Sequence, residues 1–196
     1  RAVLGVGLGD MVNKDFKAFG ETGGPRTRAE MLDESLLTAL MAWEALGEYG
    51  VTYLADPVSP YAVLKSTQNL VLDTVQFPRN TLKLKSGDCD DLTALFASIY
   101  EASGLRVALL DFPGHIALMF DTGATDANAV GIPGEYLIKY NNTLWVGVET
   151  TMVGKSFYDA VVHAADLYRK MEKELKVIDV RAAWGEFEPV TLPEAE

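Results

Sequence analysis

The sequence predicts an α+β fold in which helices come first and an antiparallel β-sheet follows. Three observations carry this. Apolar residues recur at helical spacing through residues 27–47 and 88–104. Short β-type runs then follow one another, separated by turn residues and not by long helices. A two-residue Asn-Asn connection joins two of those runs in the manner of a hairpin. Consecutive strands with such connections argue for an antiparallel sheet and against a doubly wound parallel one.

The elements read as follows. Residues 1–26 are Gly-rich and weakly patterned, and form an N-terminal extension ahead of a single domain over 27–196. From Thr27 a helix is expected: Met31, Leu32, Ser35, Leu36, Ala39, Leu40, Trp43 and Leu46 share a face, and Gly47 would stop it. Asp56-Pro57 and Ser59-Pro60 punctuate a loop. A second helix is expected over Ala62–Asp73, ended by Gln76-Phe77-Pro78. The best-marked helix opens at Ser86-Gly87-Asp88, with Asp88 as N-cap and Asp91 positioned for a capping box. Its apolar stripe is Leu92, Leu95, Phe96, Ile99 and Tyr100, and Gly104 is suited to end it. Strands are expected over Leu105–Phe112, His115–Asp121, Glu135–Tyr140 and Thr143–Glu149. A helix over Ser156–Glu172 turns Phe157, Val161, Ala164, Leu167, Tyr168 and Met171 inward, and Lys176–Arg181 reads as a last strand.

The composition bounds the function. The chain has 196 residues, 48% of them hydrophobic, which suits one domain with a real core. Its formal net charge is -11, so nucleic acid and anionic lipid are poor partners and a neutral or cationic peptide is a better one. No apolar run is long enough to insert in a membrane. The chain opens on Arg1, which reads as a processed or excised piece and leaves the compartment open. The single cysteine, Cys89, excludes an intramolecular disulfide and a cysteine-rich zinc site. Nothing calls for a cofactor. Asp121-Thr122-Gly123 has no second copy to form an aspartic-protease dyad, and Gly5, Gly7 and Gly9 lack the strand and lysine of a phosphate loop.

Cys89 lies three residues before Leu92 and seven before Phe96, so it shares the inward face of its helix while sitting in the first turn. The helix dipole favours an anion there, and the thiolate is the nucleophilic form. Asp88, Asp90 and Asp91 oppose it as like charges. Read alone, Cys89 is a small buried hydrophobe. Of the two histidines, His163 falls on an outward helix face. His115 follows Pro113-Gly114 at the mouth of an apolar strand, where it faces with Ala117 and Met119. A cysteine nucleophile needs such a base and a third group to orient it. Glu149, at the end of the run from Leu144, fills that role if Thr143–Glu149 lies in the middle of its three-strand group. In a simple meander it would fall at the far end from His115.

Ser86-Gly87-Asp88-Cys89-Asp90-Asp91-Leu92, Pro113-Gly114-His115 and Trp145-Val146-Gly147-Val148-Glu149-Thr150-Thr151 resemble, in this order, the core motifs of transglutaminase-like cysteine peptidases, particularly their bacterial branch. The resemblance covers roughly Tyr61 to Met171. It implies a papain-like core with the cysteine helix packed on an antiparallel sheet. It implies Cys89 as nucleophile, His115 as general base and acid, and Glu149 in a position where the family usually has Asp. Related proteins place a polar side chain upstream of the cysteine to stabilise the oxyanion. Gln76 is the candidate, together with the Cys89 backbone N–H. Some bacterial relatives are calcium-dependent, which makes Asp88, Asp90 and Asp91 candidate metal ligands, with helix capping as the favoured reading. The resemblance further implies a protein or peptide substrate and a periplasmic or other extracytoplasmic setting. Two functions follow. One is a hydrolase acting on a peptide or side-chain amide through a thioacyl intermediate. The other is a catalytically inactive domain of the same fold that binds proteins or peptides.

Overall fold

The computed structural model describes residues 33–55 and 74–190. The N-terminal extension, the start of the first helix and the helix expected over 62–73 lie outside the described residues. The elements in order are α1 (Glu34–Tyr49), β1 (Thr52–Tyr53), α2 (Pro78–Leu84), β2 (Ser86–Gly87), α3 (Cys89–Ala102), β3 (Val107–Phe112), β4 (His115–Asp121), α4 (Ala127–Val130), β5 (Leu137–Tyr140), β6 (Thr143–Val148), α5 (Phe157–Met171), β7 (Lys176–Asp179) and α6 (Val180–Ala183). Short 3-10 turns occupy Gly134–Tyr136 and Thr150–Met152.

The five-stranded sheet has the order β5-β6-β4-β3-β7, and every neighbouring pair is antiparallel. The chain is therefore α+β, as expected, and β6 sits between β4 and β5. The connections explain the register. Pro113 and Gly114 join β3 to β4, with Gly114 at φ 78°, a conformation that glycine adopts without strain. Asn141 and Asn142 join β5 to β6 with φ 48° and 67°, the double positive pair that matches strand twist in a tight hairpin. A separate pair of two-residue strands, β1 and β2, runs parallel with Thr52 opposite Ser86 and Tyr53 opposite Gly87.

Two helix boundaries differ from the sequence expectation. Gly47 lies inside α1, which continues to Tyr49 and is ended by Gly50 at φ 90°. The Gly50 and Val51 N–H groups close the last turn on the Gly47 and Leu46 carbonyls, so the left-handed residue that ends the helix comes three positions later. Pro78 opens α2, a helix not expected from the sequence, at the first-turn position where its missing N–H costs no hydrogen bond; the helix it was expected to end lies outside the described residues. Two of the strands are also shorter. Residues 134–136 form a 3-10 turn before β5, and the run from Lys176 gives way at Val180 to α6, capped by the Asp179 carboxylate.

The core has two parts. One face of the sheet, with Val107, Leu118, Phe120, Val146 and Val148, packs on α1 and α3. Trp43 of α1 stacks on Phe96 of α3 with ring centroids 5.1 Å apart, and Phe96 continues edge-on to Tyr100 and Tyr100 to Phe120. The Tyr100 hydroxyl is satisfied by donating to the Ala39 carbonyl. The other face, with Ala108, Leu110, Met119 and Trp145, is covered in part by Leu167, Tyr168 and Met171 of α5. Among the described residues no helix is long and apolar enough to cross a membrane. Trp43 is 1% exposed and joins two helices, so Trp43→Ala is expected to destabilise the fold by about 3–5 kcal/mol, read as a lower urea midpoint.

Candidate active site

The start of α3 is fixed by its own side chains. The Asp88 carboxylate accepts from the Asp91 N–H at 3.3 Å, and Asp91 returns a bond to the Asp88 N–H at 3.4 Å, completing the expected capping box. Gly87 is required beside it. A Cβ there would lie 2.5 Å from Asp91 Cβ and 3.2 Å from Thr81 Cγ2. Cys89, half-buried, is the first residue of the helix, so its backbone N–H has no partner within the helix.

One turn further on, Thr93 anchors the helix. Its hydroxyl is 2.9 Å from that of Thr150 and reaches the Ile116 carbonyl at 3.3 Å, so α3 is tied to the opening of β4 and to the turn after β6. Both threonines are buried. These are the two places from which His115 and Glu149 come. β4 pairs with β6 so that Leu118 faces Val148. Carrying that register one step places Glu149 opposite Ala117 and diagonal to His115.

The three predicted side chains meet. His115 Nε2 is 2.7 Å from Glu149 Oε2. The Cys89 side chain lies close enough to the imidazole for their interaction to be the largest cause of its raised pKa. Phe112 stacks on the ring at 6.2 Å with planes 16° apart, which holds its tilt. Glu149 is 2% exposed, and its second oxygen accepts from the Thr151 N–H at 3.1 Å and hydroxyl at 2.7 Å. The hydrogen bond to Cys89 and then that to Glu149 raise the His115 pKa to about 9, against the opposing effect of burial. Burial pushes the Glu149 carboxyl upward, but the bonds from His115 and Thr151 outweigh it and leave it below the ordinary value. The pair is therefore imidazolium and carboxylate at neutral pH.

Gln76 is placed differently. Its backbone N–H donates to Asp91 Oδ1 at 2.7 Å and its side-chain amide donates to Asp91 Oδ2. These bonds tie Gln76 to the capping box at the start of α3, two residues from Cys89 in sequence through Asp91. The same bonds bear on the acidic trio. Asp88, Asp90 and Asp91 have oxygens within 4.8 Å of one another. Yet both Asp91 oxygens accept from N–H groups, and one oxygen each of Asp88 and Asp90 accepts from the Asp91 N–H. Those bonds are the ones a helix cap makes, and they engage oxygens that a calcium ion would also use. His163 is exposed.

Sequence reasoning missed Thr93, Thr150 and Thr151. Thr93 had a signal, as a hydroxyl four residues after Cys89 within an otherwise apolar stripe. Comparison with family models, with curated proteins and with solved structures returns no match.

The pKa directions set a pH dependence. His115 binds its proton more tightly folded than at the unfolded value of 6.5, so its contribution to stability is full below pH 6.5 and is lost as pH rises through about 9. Glu149 is lowered, so its contribution is full above about pH 4.5 and is lost as pH falls through its folded value. The gap in melting temperature between wild type and His115→Asn is expected to shrink from pH 6 to pH 10. The gap for Glu149→Gln is expected to shrink from pH 5 to pH 3. Gaps that stay constant over these ranges would refute the ion pair.

Proposed function

We propose that Cys89, His115 and Glu149 form a thiol acyl-transfer site of the transglutaminase-like cysteine peptidase type, on a papain-like arrangement of α3 against the sheet. One observation carries the reading: the His115 imidazole bonds the buried Glu149 carboxylate at 2.7 Å and interacts with the chain's only thiol, Cys89. That is the nucleophile, base and orienting group of a cysteine hydrolase.

In this reading Cys89 reacts as a thiolate, held by the His115 imidazolium at the positive end of α3. Attack on an amide carbonyl forms a C–S bond. The free Cys89 N–H points toward the developing oxyanion. His115 then protonates the leaving amine, and Glu149 keeps the ring in place through both proton transfers. Water, deprotonated by His115, releases the acid and restores the thiol. Gln76 braces Asp91 with one amide N–H, and its second N–H is the candidate oxyanion donor named by the resemblance. The substrate is a protein or peptide, and the acidic surface disfavours strongly anionic ones.

Alkylation by iodoacetamide and turnover of an amide or ester substrate separate this reading from an inactive binding domain. Wild type is expected to alkylate at Cys89 with a rate that His115→Ala lowers sharply at pH 7. Substrate turnover is expected to vanish in Cys89→Ala and to fall by about 100-fold or more in His115→Ala. A thiol equally inert in wild type and His115→Ala would favour the binding domain.

A further inference from the structure

We infer that Tyr53 is a catalytic residue of this site, its phenolic O–H donating to the carbonyl oxygen that becomes negative when Cys89 attacks. The inference rests on the acyl-transfer reading above and deepens it. That reading supplies the Cys89 N–H as a donor at the oxyanion, while one N–H of the Gln76 amide is already given to Asp91. A tetrahedral oxyanion is generally held by two.

Tyr53 stands where a second donor is needed. The Thr52 N–H donates to the Lys85 carbonyl at 3.0 Å and the Leu54 N–H to the Gly87 carbonyl at 2.9 Å, so two bonds straddle Tyr53 and fix it opposite Gly87. Paired strands lie about 4.8 Å apart, and Gly87 is two residues before Cys89. On its other side β1 touches the 150–152 turn, which follows Glu149 directly. Tyr53 is therefore bracketed by the chain entering Cys89 and the chain leaving Glu149. It is 44% exposed, so its ring borders the space a substrate must cross. Partial burial and then the charges of Cys89, Asp88 and Glu149 raise its pKa, which keeps the phenol a donor. These three are the charged groups that face it from α3 and from the end of β6.

The step balances without any further reagent. The thiolate pair forms the C–S bond, and the carbonyl π pair moves to oxygen. The Tyr53 O–H hydrogen-bonds that oxygen without giving up its proton. When the carbonyl reforms, the bond to the leaving group breaks and the leaving group takes the proton from His115.

Two probes test the assignment. Acylation by p-nitrophenyl acetate passes through an oxyanion, whereas alkylation by iodoacetamide does not. Tyr53→Phe is expected to lower kcat for the ester by about 100-fold with little change in KM, and to leave the alkylation rate and melting temperature at wild-type values. Wild-type kcat in Tyr53→Phe would overturn the inference alone. So would a change confined to KM, which marks the ring as a wall of the cleft, or a parallel fall in acylation and alkylation, which marks it as support for Cys89. A wild-type chain inert to both probes would overturn the acyl-transfer reading and this inference with it.

Discussion

The pairing of β4 with β6 is the constraint on which the site depends. A slip of one residue in that register would turn Glu149 to the opposite face of the sheet and leave His115 without its carboxylate. Several local features oppose the slip. The Asn141-Asn142 hairpin fixes where β6 begins, and Pro113-Gly114 fixes where β4 begins. Gly147 lets α5 approach closely, since a Cβ there would stand 3.1 Å from Ala164 Cβ and 3.3 Å from Ile138 Cδ1. Moving Val146 or Val148 into that position would drive a branched side chain against the helix. Packing far from the chemistry thus sets the geometry of the ion pair.

The cysteine helix faces a conflict that the same architecture resolves. Three carboxylates at its start complement the helix dipole and would by themselves oppose a thiolate. Most of that acidity is directed elsewhere. Asp88 and Asp91 bond each other's backbone, Asp90 also accepts from the Asp91 N–H, and Gln76 covers both Asp91 oxygens. The His115 imidazolium is the compensating charge, and the Thr93–Thr150 bond ties the helix that carries Cys89 to the turn after Glu149.

Those features readable in the sequence were the ones with local causes. The capping box at Asp88 and Asp91, the Asn-Asn turn and the alternation through His115–Asp121 each depend on a few neighbouring residues, and each appears as expected. So does the meeting of His115 with Glu149, because a strand order and two strand ends were enough to imply it. Where a boundary shifted, a distant or subtler preference decided it. Gly47 had to be weighed against Gly50, and both are glycines near a helix end. Pro78 has the same local form whether it stops one helix or starts another. The role of Gln76 depended on which face of α3 the preceding chain would lie against. Nothing between residues 74 and 78 encodes that, whereas the Asp91 carboxylate thirteen residues further on determines it. Tyr53 depends on a parallel pairing across more than thirty residues, which no periodicity announces.

Glu149 is the longer of the two acids that could orient His115, and the turn that follows gives its extra methylene a use. The backbone at Glu149 is held by its N–H bond to the Ala160 carbonyl at 3.2 Å, which ties it to the first turn of α5. From that fixed point the side chain must reach His115 with one oxygen and cap the 150–152 turn with the other. An aspartate on the same backbone would be about 1.5 Å shorter, the length of one carbon–carbon bond. It would give up either the imidazole or the Thr151 N–H and hydroxyl. Losing the first would free the ring. Losing the second would loosen the turn that carries Thr150, and with it the bond that anchors Thr93 and the start of α3. The longer acid therefore couples the orientation of the base to the position of the nucleophile through a single carboxylate.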